Sequence, residues 1–436
     1  MSKSILQIIL AFLARRVIRA YDPVIVGVTG SVGKTSTRGA IRAVLAKRFS
    51  VRTAEKNYNN EIGLPLTILG VRHHGRNVLG WMAAFLGVLV RLSLKRGEYP
   101  EVLILEYGID RPGDMDVLIS IARPDVAVVT RIGDIPVHVE FFKDSQSLAE
   151  EKAKLISALR DNGYVVLNRD DAVVFSMRGK TKANIVSYGK SLNADVRIMH
   201  SELRMKHEED FGDMPDGMLF KIQYKGKVTS AFLPHGVGTP QLYAAGAACA
   251  VGLIMKMDIA EIVDACMTYE PPPGRLNILR GIKNSFLIDD TYNAAPESMR
   301  EALSLLRILP AKRKIAVLGD MLEIGRFSED AHRDVGRAAS EFVDILLTVG
   351  PRARFIGDEM KALRSAKRGV GTEKIFSFVN SISAGKMLQS LIRPGDLVLI
   401  KGSQGMRMER IVEEVMAYPE HIKKLLVRQE EYWKEK

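Results

Sequence analysis

The sequence predicts an α/β protein made of two units, each a mostly parallel sheet covered by helices. Three observations carry this. Continuous β-branched runs alternate with helical stretches, the pattern of parallel strands joined by crossover helices. The rhythm breaks once, at Pro271-Pro272-Pro273-Gly274, and then restarts. The length of 436 residues suits two or three domains. The expected division is an amphipathic helix over 1–22, a central domain over 23–270 and a C-terminal domain over 271–436.

The elements follow in order. Residues 4–19 read as a helix ending in basic residues, broken by Asp22-Pro23. Val24–Val28 is an unbroken apolar run, hence a buried strand, and it leads through a glycine turn into a helix over Lys34–Arg48. Further strands are expected at Val102–Leu105, Val126–Thr130 and Tyr164–Leu167, with a loop through 134–144 and a helix over Ser147–Leu159. Residues 195–233 read as a small antiparallel excursion, and the Ala- and Gly-rich Thr239–Met255 as a tightly packed helix. Beyond the proline run, strands fit Phe286–Asp289, Ile315–Leu318, Ile345–Val349 and Leu397–Ile400. Helices fit Glu297–Leu309, Ser328–Phe342 and Arg407–Ala417.

Composition is that of a soluble globular chain, 47% hydrophobic and 26% charged. There is no repeat at a fixed period and no low-complexity tract. Cys249 and Cys266 are the only cysteines, too few for a cysteine zinc site or a disulfide framework, so a reducing cytoplasm is expected. The net charge is +12, and residues 1–50, with nine basic residues and one acid, supply +8 of it. Such a block suits an anionic partner, whether nucleotide, nucleic acid or membrane surface, or is simply a solvated basic face. Ile5–Ala14 and Val78–Val90 are apolar but fall short of the ~20 residues that span a bilayer. Arg15-Arg16 follows the first where a signal peptide would have small residues.

Thr29-Gly30-Ser31-Val32-Gly33-Lys34-Thr35-Ser36 lies between a predicted strand and helix, the context of a phosphate-binding loop. Gly30 and Gly33 let backbone N–H groups turn toward a phosphate, and the helix N-terminus adds positive dipole. Lys34 would reach the β- and γ-phosphates, and Thr35 or Ser36 would offer Mg²⁺ a hydroxyl. Val28 stands where the strict pattern has its first glycine. This motif makes the central unit a P-loop ATPase domain and the C-terminal unit, by its rhythm, a Rossmann-like α/β domain.

With this loop go Asn57-Tyr58-Asn59-Asn60-Glu61-Ile62-Gly63-Leu64-Pro65, Leu105-Glu106-Tyr107-Gly108, Pro273-Gly274-Arg275 and Asp289-Asp290-Thr291-Tyr292-Asn293-Ala294-Ala295-Pro296. Gly319-Asp320-Met321-Leu322-Glu323-Ile324-Gly325, His332 and Lys401-Gly402-Ser403 complete the set. Over residues 24–420 the chain resembles the Mur ligase family, and within it the ligases that add D-Ala-D-Ala to a muramoyl peptide in peptidoglycan synthesis. The resemblance implies an ATP-dependent amide-bond ligase acting through an acyl phosphate, with two Mg²⁺ ions. The partners expected for the whole chain are a nucleotide and peptide-precursor substrates, with no nucleic acid. It also implies roles. Gly30, Ser31, Gly33, Lys34, Thr35 and Ser36 would hold the phosphates, and Arg275, Asn293 and Pro296 the rest of ATP. Thr35 and Glu106 would serve one Mg²⁺, and His138 with a carbamylated Lys152 the other. A carbamate turns a lysine into an anion long enough to reach the metal, and spacing favours Lys152 over Lys154. Lys34, His138 and Lys152 are the expected catalytic set, and Asn59, Asn60, His332 and Lys401 would meet substrate.

Two departures stand out. The family's ligases carry a UDP-sugar-binding domain ahead of the phosphate loop, where this sequence has only residues 1–22, so that surface is expected to be absent or rebuilt. Arg131-Ile132-Gly133 replaces the family's Asn-Ile-Gly. Alternative readings are a related ligase of γ-glutamyl or folate type and a non-catalytic nucleotide-binding scaffold at a membrane. Ile5, Ile8, Ile9, Phe12 and Leu13 near one helical face, with Arg15, Arg16 and Arg19 beyond, form a membrane-interface pattern. So do Trp81 and Phe85 within 78–94, flanked by Arg76, Arg91, Lys95 and Arg96. That implies a cytoplasmic protein peripheral at the inner membrane face. The rival expectation is that 4–19 and 78–94 pack on each other and rebuild the substrate surface.

Overall fold

The computed structural model describes residues 3–54, 58–94, 98–208, 212–366 and 374–434. The fold is α/β. Nine strands build the first sheet: β1 Val24–Thr29, β2 Val51–Thr53, β3 Val102–Glu106, β4 Val126–Val129, β5 Tyr164–Asn168, β6 Asn184–Gly189, β7 Val196–Glu208, β8 Gly212–Tyr224 and β9 Lys227–Pro234. Their order is β2-β3-β1-β4-β5-β6-β7-β8-β9. Pairing is parallel from β2 to β7 and antiparallel from β7 to β9. The segment read as a small antiparallel excursion is antiparallel, and it is joined to the main sheet through the parallel β6–β7 pair.

A parallel strand is covered on both faces, which is why β3 and β4 are buried throughout and apolar except for Glu106 at the end of β3. One face packs against α1 Lys3–Tyr21, α3 Gly63–Leu69, α4 Val78–Leu94, α5 Asp114–Ile121 and α6 Ser145–Ser157. The other packs against α2 Lys34–Leu45 and the helices Thr239–Ile254 and Ile259–Cys266. The small residues of Thr239–Ile254 let it approach α2 closely, and Gly252 and Gly246 touch Ile262 and Ile198.

The second sheet holds β10 Asn277–Gly281, β11 Ser285–Asp290, β12 Arg313–Gly319, β13 Ile345–Val349, β14 Ile375–Phe378 and β15 Asp396–Lys401. Their order is β10-β11-β15-β12-β13-β14, with only the β10–β11 pair antiparallel. Four strands escaped the sequence: β2, β6, β10 and β14. β2, β10 and β14 are edge strands with only half-buried or partly polar residues, and the internal β6 opens on the exposed Asn184 and Ile185, so no continuous buried apolar run announces any of them.

The expected apolar face of α1 divides in two. Leu6, Leu10, Leu13, Ala14 and Val17 are buried, whereas Ile5, Ile8 and Phe12 face out. Both stripes are apolar, and α3, α4 and α5 cover only one. On α4 only Trp81 and Val88 are buried. Among the described residues no helix is long and apolar enough to cross a membrane. Asn57, Lys95 and Arg96, cited above, lie outside the described residues.

Candidate active site

Strand β1 lies between β3 and β4, so connections leave its carboxyl end toward opposite sides and open a crevice. The chain after β1 fills that crevice with the phosphate loop. Gly30 and Gly33 have φ of +143° and +88°, and a Cβ on Gly30 would stand 2.0 Å from Thr130 Oγ1. Only glycine fits there. Gly33 caps α2 without a side-chain hydrogen bond, leaving the first amides of the helix directed into the crevice.

Lys34 donates from Nζ to the carbonyl of Gly30 at 2.7 Å, folding over its own loop. Burial lowers its pKa, and the charge of Glu106 partly restores it. Glu106 ends β3 opposite Val28 and is 2% exposed. The Thr35 hydroxyl lies 3.4 and 3.5 Å from its two oxygens, and Arg38 Nη1 lies 3.5 Å from Oε2. Ser36, one residue on, turns away toward Tyr269.

The carboxyl ends of β11 and β15 approach from the other side. A cavity of ≈690 Å³ lies between the two sheets. Ser31, Gly33, Lys34, Thr35, Asn59, Glu106 and His138 line it from the first half, and Arg275 and Asn293 from the second. Arg275 is held by the Tyr292 ring, its guanidinium carbon 3.8 Å from the centroid. His138, in the left-handed region at φ +71°, places Nδ1 2.9 Å from Glu323 and Nε2 3.5 Å from Asp110.

Other expected site residues lie behind this wall. Lys401 is buried and donates to the Asn293 carbonyl at 2.8 Å while pairing with Asp290 at 2.6 Å. It positions Asn293 and does not line the cavity. Pro296 is the first residue of the helix Pro296–Ile308, whose N-terminal Ala295 and Ser298 line the cavity instead. The Asn60 side chain accepts from Gly63 N at 2.9 Å and so starts α3. His332 is fully buried; Nδ1 donates to Ser328 O at 2.6 Å and Nε2 accepts from Met321 N at 3.0 Å. It fastens the 321–323 turn.

Lys152 is 1% exposed on the inner side of α6. Burial and the positive charge of Lys34 push its pKa well down, which favours the neutral amine. Lys154 behaves oppositely: it is surface-facing and pairs with Asp116 at 2.5 Å and Glu151 at 2.8 Å. Among the described residues no three His, Cys, Asp or Glu side chains cluster as a metal site. Thr35 and Glu106 nevertheless supply a hydroxyl and a carboxylate at the phosphate loop. That donor set fits Mg²⁺, which binds through one or two carboxylates together with substrate phosphates and water.

The chain's sequence and fold have known counterparts. Residues 28–79 and 84–251 match the Mur ligase middle domain, and 274–404 match the Mur ligase, glutamate ligase domain. The chain belongs to the Mur ligase family. It is 28% identical over 412 residues to the UDP-N-acetylmuramoyl-tripeptide–D-alanyl-D-alanine ligase of Bacillus subtilis, covering 93% of this chain and 79% of that one. The ligase of the same name from Mycobacterium tuberculosis is 29% identical over 409 residues, covering 90% and 73%. The structure of the MurF ligase from Thermotoga maritima in complex with ADP superposes with a TM-score of 0.74 at 26% identity, covering 97% of this chain and 86% of that one.

Several lining residues of this Mur ligase were not singled out from sequence. Tyr292, Leu322 and Glu323 sat inside quoted motifs without a role, Asp110 lay just after one, and Glu430 and Trp433 lie in a C-terminal tail with no motif at all. Arg428, buried in the same tail, pairs with Glu409 at 2.7 Å and donates to the carbonyls of Thr291 and Tyr292. It clamps the tail against the Tyr292–Asn293 wall.

Proposed function

We propose that this cavity joins the amine of D-Ala-D-Ala to the carboxylate of a muramoyl-peptide precursor at the expense of ATP, in the cytoplasm where ATP is available. The acceptor carboxylate attacks the γ-phosphorus, the bond to the bridging oxygen breaks and ADP departs. The amine then attacks the acyl carbon, phosphate leaves and the amine loses a proton. The observation that carries the reading is one cavity lined by Lys34, Thr35 and Glu106 from one sheet and Arg275 and Asn293 from the other. The names of the relatives at 28% and 29% identity point to the same amine and acceptor.

Each residue then has a task. Lys34 exchanges the Gly30 carbonyl for phosphate oxygens, and the α2 amides take up further phosphate charge. Arg275 brings a cation from the second half. Thr35 and Glu106 would hold one Mg²⁺, and His138 with Lys152 the other. When bound, the metal supplies charge neutralisation between two anionic reactants. Burial, which disfavours the charged form of the Lys152 amine, suits it to add CO₂: an N–C bond forms as one C–O π bond opens, and the nitrogen loses a proton.

The deciding experiment is phosphate release from ATP with paired substrates. UDP-muramoyl-tripeptide with D-Ala-D-Ala should support turnover, and a folyl acceptor with glutamate should not. Lys34→Ala should lower the rate by roughly 10²–10³, the cost of losing one charge-stabilising donor. Turnover only with the folyl pair would replace the proposed substrate, and no amine-dependent release with any pair would overturn the ligase reading.

A further inference from the structure

The outward faces of α1 and α4 are unlike the rest of the surface. On α4, Leu79 is 77% exposed and Leu86 63%, and Met82, Leu89, Val90 and Leu94 face solvent with them. On α1, Ile8 is 67% exposed, beside Phe12. The two helices pack together through the buried stripes and are tied at their C-terminal ends, where the Tyr21 hydroxyl donates to the Arg91 carbonyl at 3.4 Å. Both helices cover the same face of the first sheet, and a shallow groove runs along α4 past Val71, Gly87 and Val90. Exposed apolar residues gathered on two packed helices mark a contact site.

Charge says what it contacts. Residues 1–21 and 62–97 contain no Asp or Glu at all, against nine Lys and Arg. Arg16 and Arg19 stand exposed at the end of α1, with the Arg16 guanidinium 5.6 Å from the Phe12 ring centroid. Arg72 and Arg76 stand exposed just before α4. Arg91 turns inward, to the Leu69 carbonyl at 2.8 Å. Exposed leucines among basic residues, in two segments that carry no acid of their own, match the headgroup layer of an anionic bilayer. A second copy of this chain would set the same positive charge against itself in a two-fold contact. Neither helix can span a membrane, because each keeps one stripe packed in the protein core.

We propose that the α1–α4 face is a peripheral docking surface for anionic membrane, with the apolar side chains entering the interface and the four exposed arginines meeting lipid phosphates. The surface is coupled to the cavity. Gln7 of α1 donates to Glu61 at 2.8 Å, in the loop whose Tyr58 and Asn59 line the cavity wall. Docking would thus hold the bilayer on the Asn59 side of the cleft. The proposal stands apart from the choice of substrate.

The test is co-sedimentation of the full chain with phosphatidylglycerol vesicles and with phosphatidylcholine vesicles, at low and high salt. The expected result is sedimentation with phosphatidylglycerol at low salt, at least ten-fold above phosphatidylcholine and weakened by high salt. L79S/L86S and R16E/R19E should each lower it ten-fold or more while thermal unfolding stays unchanged, since all four side chains are exposed. Protein remaining in the supernatant with phosphatidylglycerol at low salt overturns the proposal. So does sedimentation undiminished in L79S/L86S, and so does a dimer in light scattering that L79S/L86S dissolves.

Discussion

Arg131 Nη1 and Glu301 Oε1 stand 2.6 Å apart, joining the end of β4 in the first half to the helix Pro296–Ile308 in the second. The same guanidinium pairs with Glu297, one turn earlier. The Arg131 carbonyl accepts from the amides of Ser31 at 2.7 Å and Val32 at 3.1 Å. One residue thus ties the phosphate loop to the opposite wall of the cleft. It is also where the sequence departs from the Mur pattern of Asn-Ile-Gly, so the departure has a structural use here.

Removing this tie should loosen the two halves. Arg131→Ala leaves two largely buried carboxylates facing each other without a cation, and should cost about 1–3 kcal/mol of stability. It should raise the KM for ATP more than it lowers kcat, because closure is needed to assemble the nucleotide site. Urea unfolding and steady-state kinetics check both. A double-mutant cycle with Glu301→Gln should show non-additivity, as expected of side chains in contact.

Stability should fall as pH rises from about 4 to about 7. Burial pushes the Asp289 carboxyl up from 3.8 to about 7, against hydrogen bonds from Thr291 that favour the charged form. Its Oδ2 has no partner, so it can carry the proton. The folded state then holds a proton that the unfolded state releases, so this stabilisation is complete below about 4 and is lost as pH passes 7. Glu301 is shifted the same way by burial. Three pKa units correspond to at most ~4 kcal/mol. Asp289→Asn should flatten the profile in urea unfolding between about pH 4 and 7. An unchanged slope would show that Asp289 does not titrate in this window.

Lys152 and Lys154 should separate cleanly. Lys152→Ala should abolish amine-dependent phosphate release and regain part of it with added short carboxylic acids, which can occupy the vacated space as anions. Lys154→Ala should stay within about two-fold of the parent, since exposed pairs are worth ~1 kcal/mol or less. Full activity of Lys152→Ala without additive would remove Lys152 from the metal set.

His332 should matter for the fold and not for substrate contact. Burial holds its imidazole below the ordinary His pKa, and both ring nitrogens are engaged with backbone. His332→Ala leaves the Met321 amide and Ser328 carbonyl without their partner and should cost ~1–3 kcal/mol. Thermal unfolding should show the loss. The KM for the peptide acceptor should move less than two-fold in protein that remains folded.

Much of this protein was legible along the chain. The strand–glycine turn–helix at 24–45 is local, because backbone sterics and the helix N-terminus act within a few residues. Lys34 and Thr35 therefore appear in the cavity where the motif puts them, and Glu106 joins them from the end of β3. The central strands of both sheets are equally plain, since a strand buried on both faces must be continuously apolar. Lys152 and Lys154, two positions apart on one helix, turn to opposite sides, so the first is buried and the second reaches the surface.

Other features exist only in three dimensions. Nothing near His332 or Lys401 in sequence says that their polar partners are Met321, Ser328, Asp290 and Asn293, so a functional-looking residue proves to be a brace. Nothing near Arg131 reveals Glu297 and Glu301, which lie 166 and 170 positions on. In α1 the sequence offers two apolar stripes of similar strength, and only the packing of α3, α4 and α5 decides which is buried and which is left to solvent. Sequence by itself determined the local conformations and the chemistry each residue could perform. Tertiary structure decided which groups meet, because burial, charge pairing and closure depend on distances between segments far apart in the chain.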